Sequence, residues 1–131
     1  MNNYTSTLKG EVKKNIELEI INGIYREGDM IPSLSKLQTL YSCGRNTAKT
    51  VLTELYEEDL ITMQRGVGSY LKPFAKEKIL KKYQQKIEED IKKIIEEAYA
   101  IKMDCKVLDE FTREMIKEIY SRRLEQGVKE T

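Results

Sequence analysis

The sequence predicts a mainly α (α+β) fold, in which three helices and a small β-hairpin precede a two-helix hairpin. Three observations support this prediction. Apolar residues recur at the three- and four-residue steps of helices along most of the chain. Two short β-prone stretches flank a glycine-bearing loop after the third helical segment. Beyond residue 74 the apolar spacing approaches a heptad among lysines and glutamates. We therefore expect two domains, residues 1–74 and 75–131.

Bulk composition is that of a helix-rich globular chain with few options for catalysis. The 131 residues are 40% hydrophobic and 34% charged, with a net charge of +1. There is no histidine, and Cys43 and Cys105 lack the spacing of a zinc or disulfide framework. We therefore expect no metal, no cofactor and no enzymatic activity. No apolar run approaches the ~18 residues that span a bilayer, so we expect a cytoplasmic protein.

The first helix is predicted over residues 9–22. Val12, Ile16 and Ile20 recur at four-residue steps, which places them on one side of a helix. Gly23 follows this segment, and a glycine is common just after the C-terminus of a helix. We interpret this segment as a scaffold helix that packs beneath the next two.

A short strand and a second helix follow. Two glycines make turns after the first helix, and a proline at position 32 keeps Met30–Ile31 extended. Ser33 is well placed to cap a helix that runs to about Tyr41. Leu37 and Leu40 are expected to face inward from this helix.

The third helix is predicted to begin at Arg45, after a tight turn in which Gly44 allows the backbone to reverse. Four apolar residues at i, i+3, i+4 and i+7 form its buried stripe. The opposite face carries hydrogen-bond donors and no acid, which suits phosphates and base edges. The stripe comprises Ala48, Val51, Leu52 and Leu55, and the donor face comprises Arg45, Asn46, Lys49, Thr50 and Thr53.

The hairpin that follows is here called the wing. It is predicted from the β-prone stretches 61–64 and 69–71 around the loop Arg65-Gly66-Val67-Gly68. Positive charge gathers in these segments, because residues 30–53 and 60–76 each contain three basic residues and no acid. The acids crowd the end of the third helix instead and should face away from phosphate. They are Glu54, Glu57, Glu58 and Asp59.

The C-terminal region is predicted to be a long helix of about 25 residues, a break at residues 103–105, and a second helix capped by Asp104. A polar tail is expected after Arg123.

One helical hairpin cannot cover both apolar faces of its helices, so we expect a homodimer. The alternative is that the two helices fold back on the first domain. The predicted dimerisation residues are Leu80, Tyr83, Ile87, Ile91, Ile94, Ala98, Phe111, Met115 and Ile119.

Several residues at fixed intervals carry a family resemblance. They are Ile20-x-x-Gly23-x-Tyr25-x-x-Gly28-Asp29-x-Ile31-Pro32-Ser33, then Leu37, Gly44-Arg45-Asn46-Thr47-Ala48-Lys49, Leu52, Leu55, Leu60-Ile61 and Gly66-Val67-Gly68-Ser69-Tyr70-Leu71. This pattern resembles the winged helix-turn-helix domain of the GntR family of bacterial transcription regulators. The short helical C-terminal region resembles that of the family's YtrA-like branch.

The resemblance implies roles for particular residues. Arg45, Thr47 and Lys49 would occupy the recognition-helix contact positions, and the wing tip would reach toward the minor groove. The chain departs from the family at Leu34 and Ser35, where the family commonly has Glu-Arg. Lys36 remains as a phosphate partner, but bidentate reading of guanine from the second helix would be lost. The predicted DNA-binding residues are Ser33, Lys36, Arg45, Asn46, Thr47, Lys49, Thr50, Arg65, Gly66, Val67 and Gly68.

These features predict a sequence-specific DNA-binding transcription regulator. The specific hypothesis is a homodimeric repressor on an inverted-repeat operator, and the resemblance adds an expectation that the operator controls transporter genes. The alternative is a winged-helix module that recruits a protein partner through its C-terminal helices. An enzyme is disfavoured because no nucleophile stands with a base or a metal cluster.

Overall fold

A computed structural model of the protein describes the backbone of residues 7–130 and the side chains of residues 7–124. The chain divides into two compact units, Met1–Gln84 and Gln85–Thr131. The mainly α fold with a small antiparallel sheet confirms the predicted fold class. The elements are α1 (Leu8–Ile21), β1 (Met30–Ile31), α2 (Leu34–Tyr41), α3 (Arg45–Glu57), β2 (Ile61–Gln64), β3 (Gly68–Leu71), α4 (Ala75–Ala100) and α5 (Cys105–Glu130).

Side chains cap three of the helices at their N-termini. The Thr7 hydroxyl oxygen accepts a hydrogen bond from the Gly10 N–H at 3.0 Å. The Ser33 hydroxyl accepts one from the Lys36 N–H at 3.2 Å, which confirms the predicted cap of α2. Asp104 caps α5 as predicted, because its carboxylate accepts a hydrogen bond at 2.9 Å from the N–H of Lys106, the second residue of the helix. These caps satisfy amides that have no partner inside the helix.

The core of the first unit is built from one face of each helix and one side of the sheet. The predicted stripes of α1 and α3 are buried, and so are the first turns of α4 through Ala75 and Ile79. Each fully buried aliphatic side chain stabilises the fold by about 1.5–3 kcal/mol. The buried apolar residues are Val12, Ile16, Ile20, Ile31, Leu37, Cys43, Ala48, Val51, Leu52, Leu55, Leu60, Ile61, Leu71, Ala75 and Ile79.

The predicted inward orientation of Leu40 is wrong, because its side chain is 54% exposed. Leu37 is fully buried. Viewed along the helix axis, the residue three positions later lies about 60° to one side of it, and the residue four positions later lies about 40° to the other side. The buried side of α2 follows the four-residue step to Tyr41 and the three-residue step back to Leu34, both of which pack against the core. Leu40 lies three positions after Leu37, on the side of Leu37 that faces away from Leu34 and Tyr41.

The turn between α2 and α3 also differs from the prediction. Ser42 takes the left-handed conformation, with φ 48°, and its N–H bonds back to the Gln38 carbonyl. Gly44 has φ −76° in extended backbone and serves as the N-cap position of α3. The backbone therefore reverses at Ser42, and Gly44 is not the residue that requires conformational freedom.

The three strands form an antiparallel sheet in the order β1-β3-β2. Met30 pairs with Tyr70 at the β1 edge, and Gln64 pairs with Gly68 at the end of the wing. The wing prediction is confirmed, with β3 beginning one residue earlier than expected. Because β1 pairs with β3, the wing is part of a three-stranded sheet, and the loop between β2 and β3 extends beyond it.

The second unit contains the rest of α4 and all of α5. Helix α4 ends at Ala100, close to the predicted length, but the polar tail expected after Arg123 is instead part of α5, which continues to Glu130. Its polar composition does not interrupt the helix because glutamate, lysine and arginine are good helix formers. Among the described residues, no helix is long and apolar enough to cross a membrane.

Candidate nucleic-acid interface

Burial of one face of α3 leaves its donor-bearing face outward. Arg45, Asn46, Lys49 and Thr50 are exposed, and Thr47 is half-buried. The Thr50 hydroxyl donates to the Asn46 carbonyl at 2.8 Å, so its hydrogen is used inside the helix while its oxygen can still accept a hydrogen bond. The exposed face thus keeps two cationic side chains and one amide available for a ligand.

The cations near this face have no carboxylate partner among the ion pairs of the described residues. Lys36 on α2, Arg45 and Lys49 on α3 and Arg65 at the wing are all exposed. By contrast, Lys9 and Lys13 of α1 are paired with carboxylates, and so are four lysines beyond the wing, Lys72, Lys78, Lys82 and Lys86. Positive charge is therefore left uncompensated around the exposed face of α3 and the wing, as in a surface that binds phosphate.

The wing tip is a tight turn with an exposed apolar residue at its end. Gly66 has φ +78°, a conformation that side chains rarely adopt, which explains the glycine at this position. The Val67 N–H donates to the Gln64 carbonyl at 3.0 Å and closes the turn. The Val67 side chain is 58% exposed, so the tip offers an apolar group flanked by glycine backbone.

A cleft of about 610 Å³ lies between α3 and the wing. It brings together six of the predicted DNA-binding residues, namely Ser33, Lys49, Arg65, Gly66, Val67 and Gly68. The other five, Lys36, Arg45, Asn46, Thr47 and Thr50, lie outside it. Its polar lining also includes Thr53, Gln64 and Ser69, which were absent from the predicted set. Gln64 directly precedes the loop residue Arg65, and this position was the signal that could have added it.

Two residues depart from the family pattern at the start of α2, and the structure shows what they do. Leu34 packs against the core while also lining the cleft. The Ser35 hydroxyl lies 3.4 Å from the capping hydroxyl of Ser33. Neither side chain carries charge, so Lys36 is the cation that this end of α2 presents.

Carboxylates at the end of α3 are engaged by lysines from other elements. Glu54 bonds Lys9 at 2.7 Å and Lys13 at 3.1 Å, and Lys13 also pairs with Glu58. Hydrogen bonds from Lys9 and then Lys13 lower the pKa of Glu54. The acidic end of α3 is thus tied to α1, which limits its repulsion of a phosphate backbone.

Asp59 forms a second such junction just after α3. Its carboxylate pairs with Lys72, at the exit of the wing, and with Lys78 of α4 at 2.8 Å. Hydrogen bonds from Lys72 and Lys78 lower the pKa of Asp59 to about 2. The residue has φ 62°, in the left-handed region that aspartate tolerates better than most residues. The end of α3, the wing and the start of α4 therefore meet at one carboxylate.

The predicted dimerisation residues lie in four different environments. Ile91, Ile94, Phe111 and Met115 line one groove of about 550 Å³ between α4 and α5. Leu80, Ile87 and Ile119 are exposed outside this groove, and Ala98 is buried. Tyr83 packs against the core of the first unit, and its hydroxyl donates to Glu17 at 2.6 Å.

Comparisons with known proteins agree with this architecture. The family model "Bacterial regulatory proteins, gntR family" matches residues 8–71. The HTH-type transcriptional repressor YtrA of Bacillus subtilis is 30% identical over 95 residues, which cover 72% of this chain and 73% of YtrA.

Two solved structures share the fold at lower identity. A GntR family transcriptional regulator from Listeria monocytogenes has a TM-score of 0.69 at 21% identity, over 86% of this chain and 97% of that one. BusR of S. agalactiae, in complex with its busAB promoter DNA, has a TM-score of 0.52 at 21% identity. That match covers 84% of this chain and 57% of BusR.

Proposed function

The chain belongs to the GntR family of bacterial regulatory proteins, so it is a DNA-binding transcription regulator and not an enzyme, and on that premise we propose a homodimeric repressor that binds an inverted-repeat operator. One observation carries the proposal: the exposed face of α3 combines unpaired cations and hydrogen-bond donors with no acid, beside a projecting wing. Repression follows from occupying promoter DNA, and the relative YtrA is named a repressor.

In this proposal, residues 1–74 bind DNA. Helix α3 lies in the major groove, where Arg45 and Thr47 reach base edges and Asn46 and Thr50 support them. Lys36 and Lys49 hold phosphates on either side, since each is exposed and lacks a carboxylate partner. The wing contacts the adjacent minor groove or backbone. Its contacts come from Arg65, Gly66, Val67 and Gly68, and Ser33 adds a backbone contact at the edge of the cleft.

Residues 75–131 provide the dimer interface in this proposal. Ile91 and Ile94 face the α4–α5 groove, yet each remains more than half exposed. Phe111 on the other wall is also exposed, so the two helices leave an apolar groove that they do not fill themselves. A second copy of the same hairpin covers both grooves at once, because twofold pairing is reciprocal. Burial of this area is favourable by about 25 cal/mol for each Å² removed from water.

The proposed physiological setting follows from the resemblance and the ligand. Chromosomal promoter DNA places the regulator in the cytoplasm. The YtrA-like branch suggests an operator beside transporter genes.

Selection of duplexes from a random pool by the full-length protein tests the DNA-binding proposal. We expect an enriched inverted repeat whose half-site centres lie about 34–36 Å apart, one helical turn, or a multiple of it. Enrichment of no sequence, or of a single site without symmetry, would contradict the proposal.

Light scattering after gel filtration tests the dimer. The wild type should have twice the chain mass of 15.3 kDa. Ile94→Glu places a charge in the apolar groove and should yield monomer, whereas Lys93→Glu, at an exposed neighbour, should not. A monomeric wild type would overturn the proposal. Co-purification of a different protein in equal amount, with no DNA selected, would instead support the protein-recruiting module.

A further inference from the structure

Glu17 is the only buried charged side chain among the residues whose side chains are described, with 3% of its surface exposed. It lies on α1. A buried carboxylate is costly unless its oxygens are paired. Both oxygens of Glu17 are paired: one with the Lys82 ammonium, and the other with the Tyr83 hydroxyl at 2.6 Å.

Both partners of Glu17 belong to the early turns of α4. Burial, together with the hydrogen bond to Glu17, raises the pKa of the Tyr83 hydroxyl, so the phenol remains a donor at neutral pH. Lys82 also reaches Glu58 at 3.4 Å, at the end of α3. One buried carboxylate, Glu17, and its partly exposed partner Lys82 therefore join α1, the C-terminal end of α3 and α4.

The same part of α4 is held by apolar contacts and by a second ion pair. Ala75 and Ile79 are each 1% exposed and belong to the core of the first unit. Lys78 bonds the Asp59 carboxylate at 2.8 Å. Helix α4 then continues without interruption to Ala100. The residues that we propose dimerise begin on this same continuous helix.

We propose that Glu17 is a positioning residue for operator binding: by locking Lys82 and Tyr83, it fixes α4 on the DNA-binding unit and so sets which half-site spacing the dimer accepts. This inference rests on the proposed function. Glu17 itself touches no DNA. One added base pair moves a half-site by about 3.4 Å and rotates it by about 35°, so a rigid junction discriminates between spacings and a loose one tolerates several.

The test uses the full-length protein and the duplex selected by the wild type. Derivatives of that duplex have the spacer between half-sites shortened or lengthened by one base pair. The measured quantity is the ratio of Kd on the altered spacing to Kd on the original one. Three variants probe the junction: Glu17→Ala removes the carboxylate, Glu17→Gln keeps an oxygen for Tyr83, and Tyr83→Phe removes only the hydroxyl.

We expect the wild-type ratio to exceed about tenfold, and Glu17→Ala and Tyr83→Phe to reduce it about fivefold, because each removes a hydrogen bond to a charged group. Glu17→Gln should retain most of the ratio, since its amide oxygen still accepts from Tyr83. Lys86→Gln is the matched control: it breaks an exposed pair with Asp90 at 2.6 Å on the same helix and should leave the ratio unchanged.

A purely stabilising role for Glu17 predicts a different result. It would lower the melting temperature and weaken binding to every spacing by the same factor, leaving the ratio unchanged, and that outcome overturns the inference. Tyr83→Phe keeps the test valid if Glu17→Ala does not fold. A wild type that binds all spacings equally overturns the inference while DNA binding stands. A wild type that selects no duplex overturns the proposed function as well.

Discussion

Lys49→Gln should flatten the salt dependence of operator binding. Each copy of the chain presents four exposed cations near the proposed interface, and among the described residues they have no carboxylate partner. They are Lys36, Arg45, Lys49 and Arg65. A dimer would place about eight of them on phosphates or bases. At about −0.9 per phosphate contact, the slope of log K against log salt is then about −7 at most. Removing two lysines from the dimer should change it to about −5.

Fluorescence anisotropy with a labelled operator measures this slope. Between about 50 and about 200 mM salt, wild-type affinity should fall by roughly 20,000-fold and that of Lys49→Gln by roughly 2,000-fold. The variant should bind more weakly than the wild type at low salt, where counterion release favours binding most. The glutamine side chain is one atom shorter than lysine and keeps a polar end, so the lost charge is the main difference.

Lys93→Gln provides the control for a general effect of charge. Lys93 is exposed on α4 in the second unit, outside the proposed DNA surface. Its removal should leave the slope at the wild-type value. A phosphate contact by Lys49 is refuted if Lys49→Gln retains the wild-type slope, or if both variants flatten it equally.

Three further predictions concern base reading, packing and pH. Arg45→Ala should cost about 1–3 kcal/mol of binding and relax preference at one position, measured by competition with base-substituted operators. Leu55→Ala should lower the free energy of unfolding by about 2–5 kcal/mol because its side chain is fully buried, whereas Leu40→Ala should cost well under half as much, as urea titration would show. The Asp59 pKa of about 2 lies below its ordinary 3.8, so its stabilising contribution is complete above about pH 4 and lost as pH falls toward 2. Urea midpoints of wild type and Asp59→Asn should differ at pH 7 and converge near pH 2; an equal difference at both would contradict this.

Helical periodicity made the third helix predictable from sequence. Ala48, Val51, Leu52 and Leu55 lie on one stripe of a regular helix, and all four are buried. That pattern depends only on the pitch of the helix and on the cost of exposing apolar surface. Because the stripe determines which side is buried, it also determines which side remains outward.

Short elements were less predictable. In α2, which has eight residues, Leu37, Leu40 and Tyr41 allow two different buried faces, and the choice depends on where α1 and α3 lie. The reversal at Ser42 rather than Gly44 was missed for a related reason. Glycine permits a left-handed conformation without requiring it, so its presence indicates a turn but not the exact residue.

The sequence patterns do not predict polar contacts between residues far apart in the chain. Glu17 and Tyr83 are 66 residues apart, and the helical wheel of α1 alone does not say which carboxylate will be buried. The apolar residues of α4 from Leu80 to Ala98 were all predicted to dimerise, yet Tyr83 packs against the core of the first unit. A heptad-like pattern identifies an apolar face but not the element that covers each part of it.

Hydroxyl-radical footprinting of the selected duplex tests most directly whether two copies of the exposed face of α3 read DNA symmetrically. We expect two protected windows on each strand, related by a twofold axis and separated by whole helical turns. Arg45→Ala should weaken both windows equally, and Lys93→Gln should leave them intact. A single unsymmetrical window, or protection that Arg45→Ala leaves unchanged, would contradict the account.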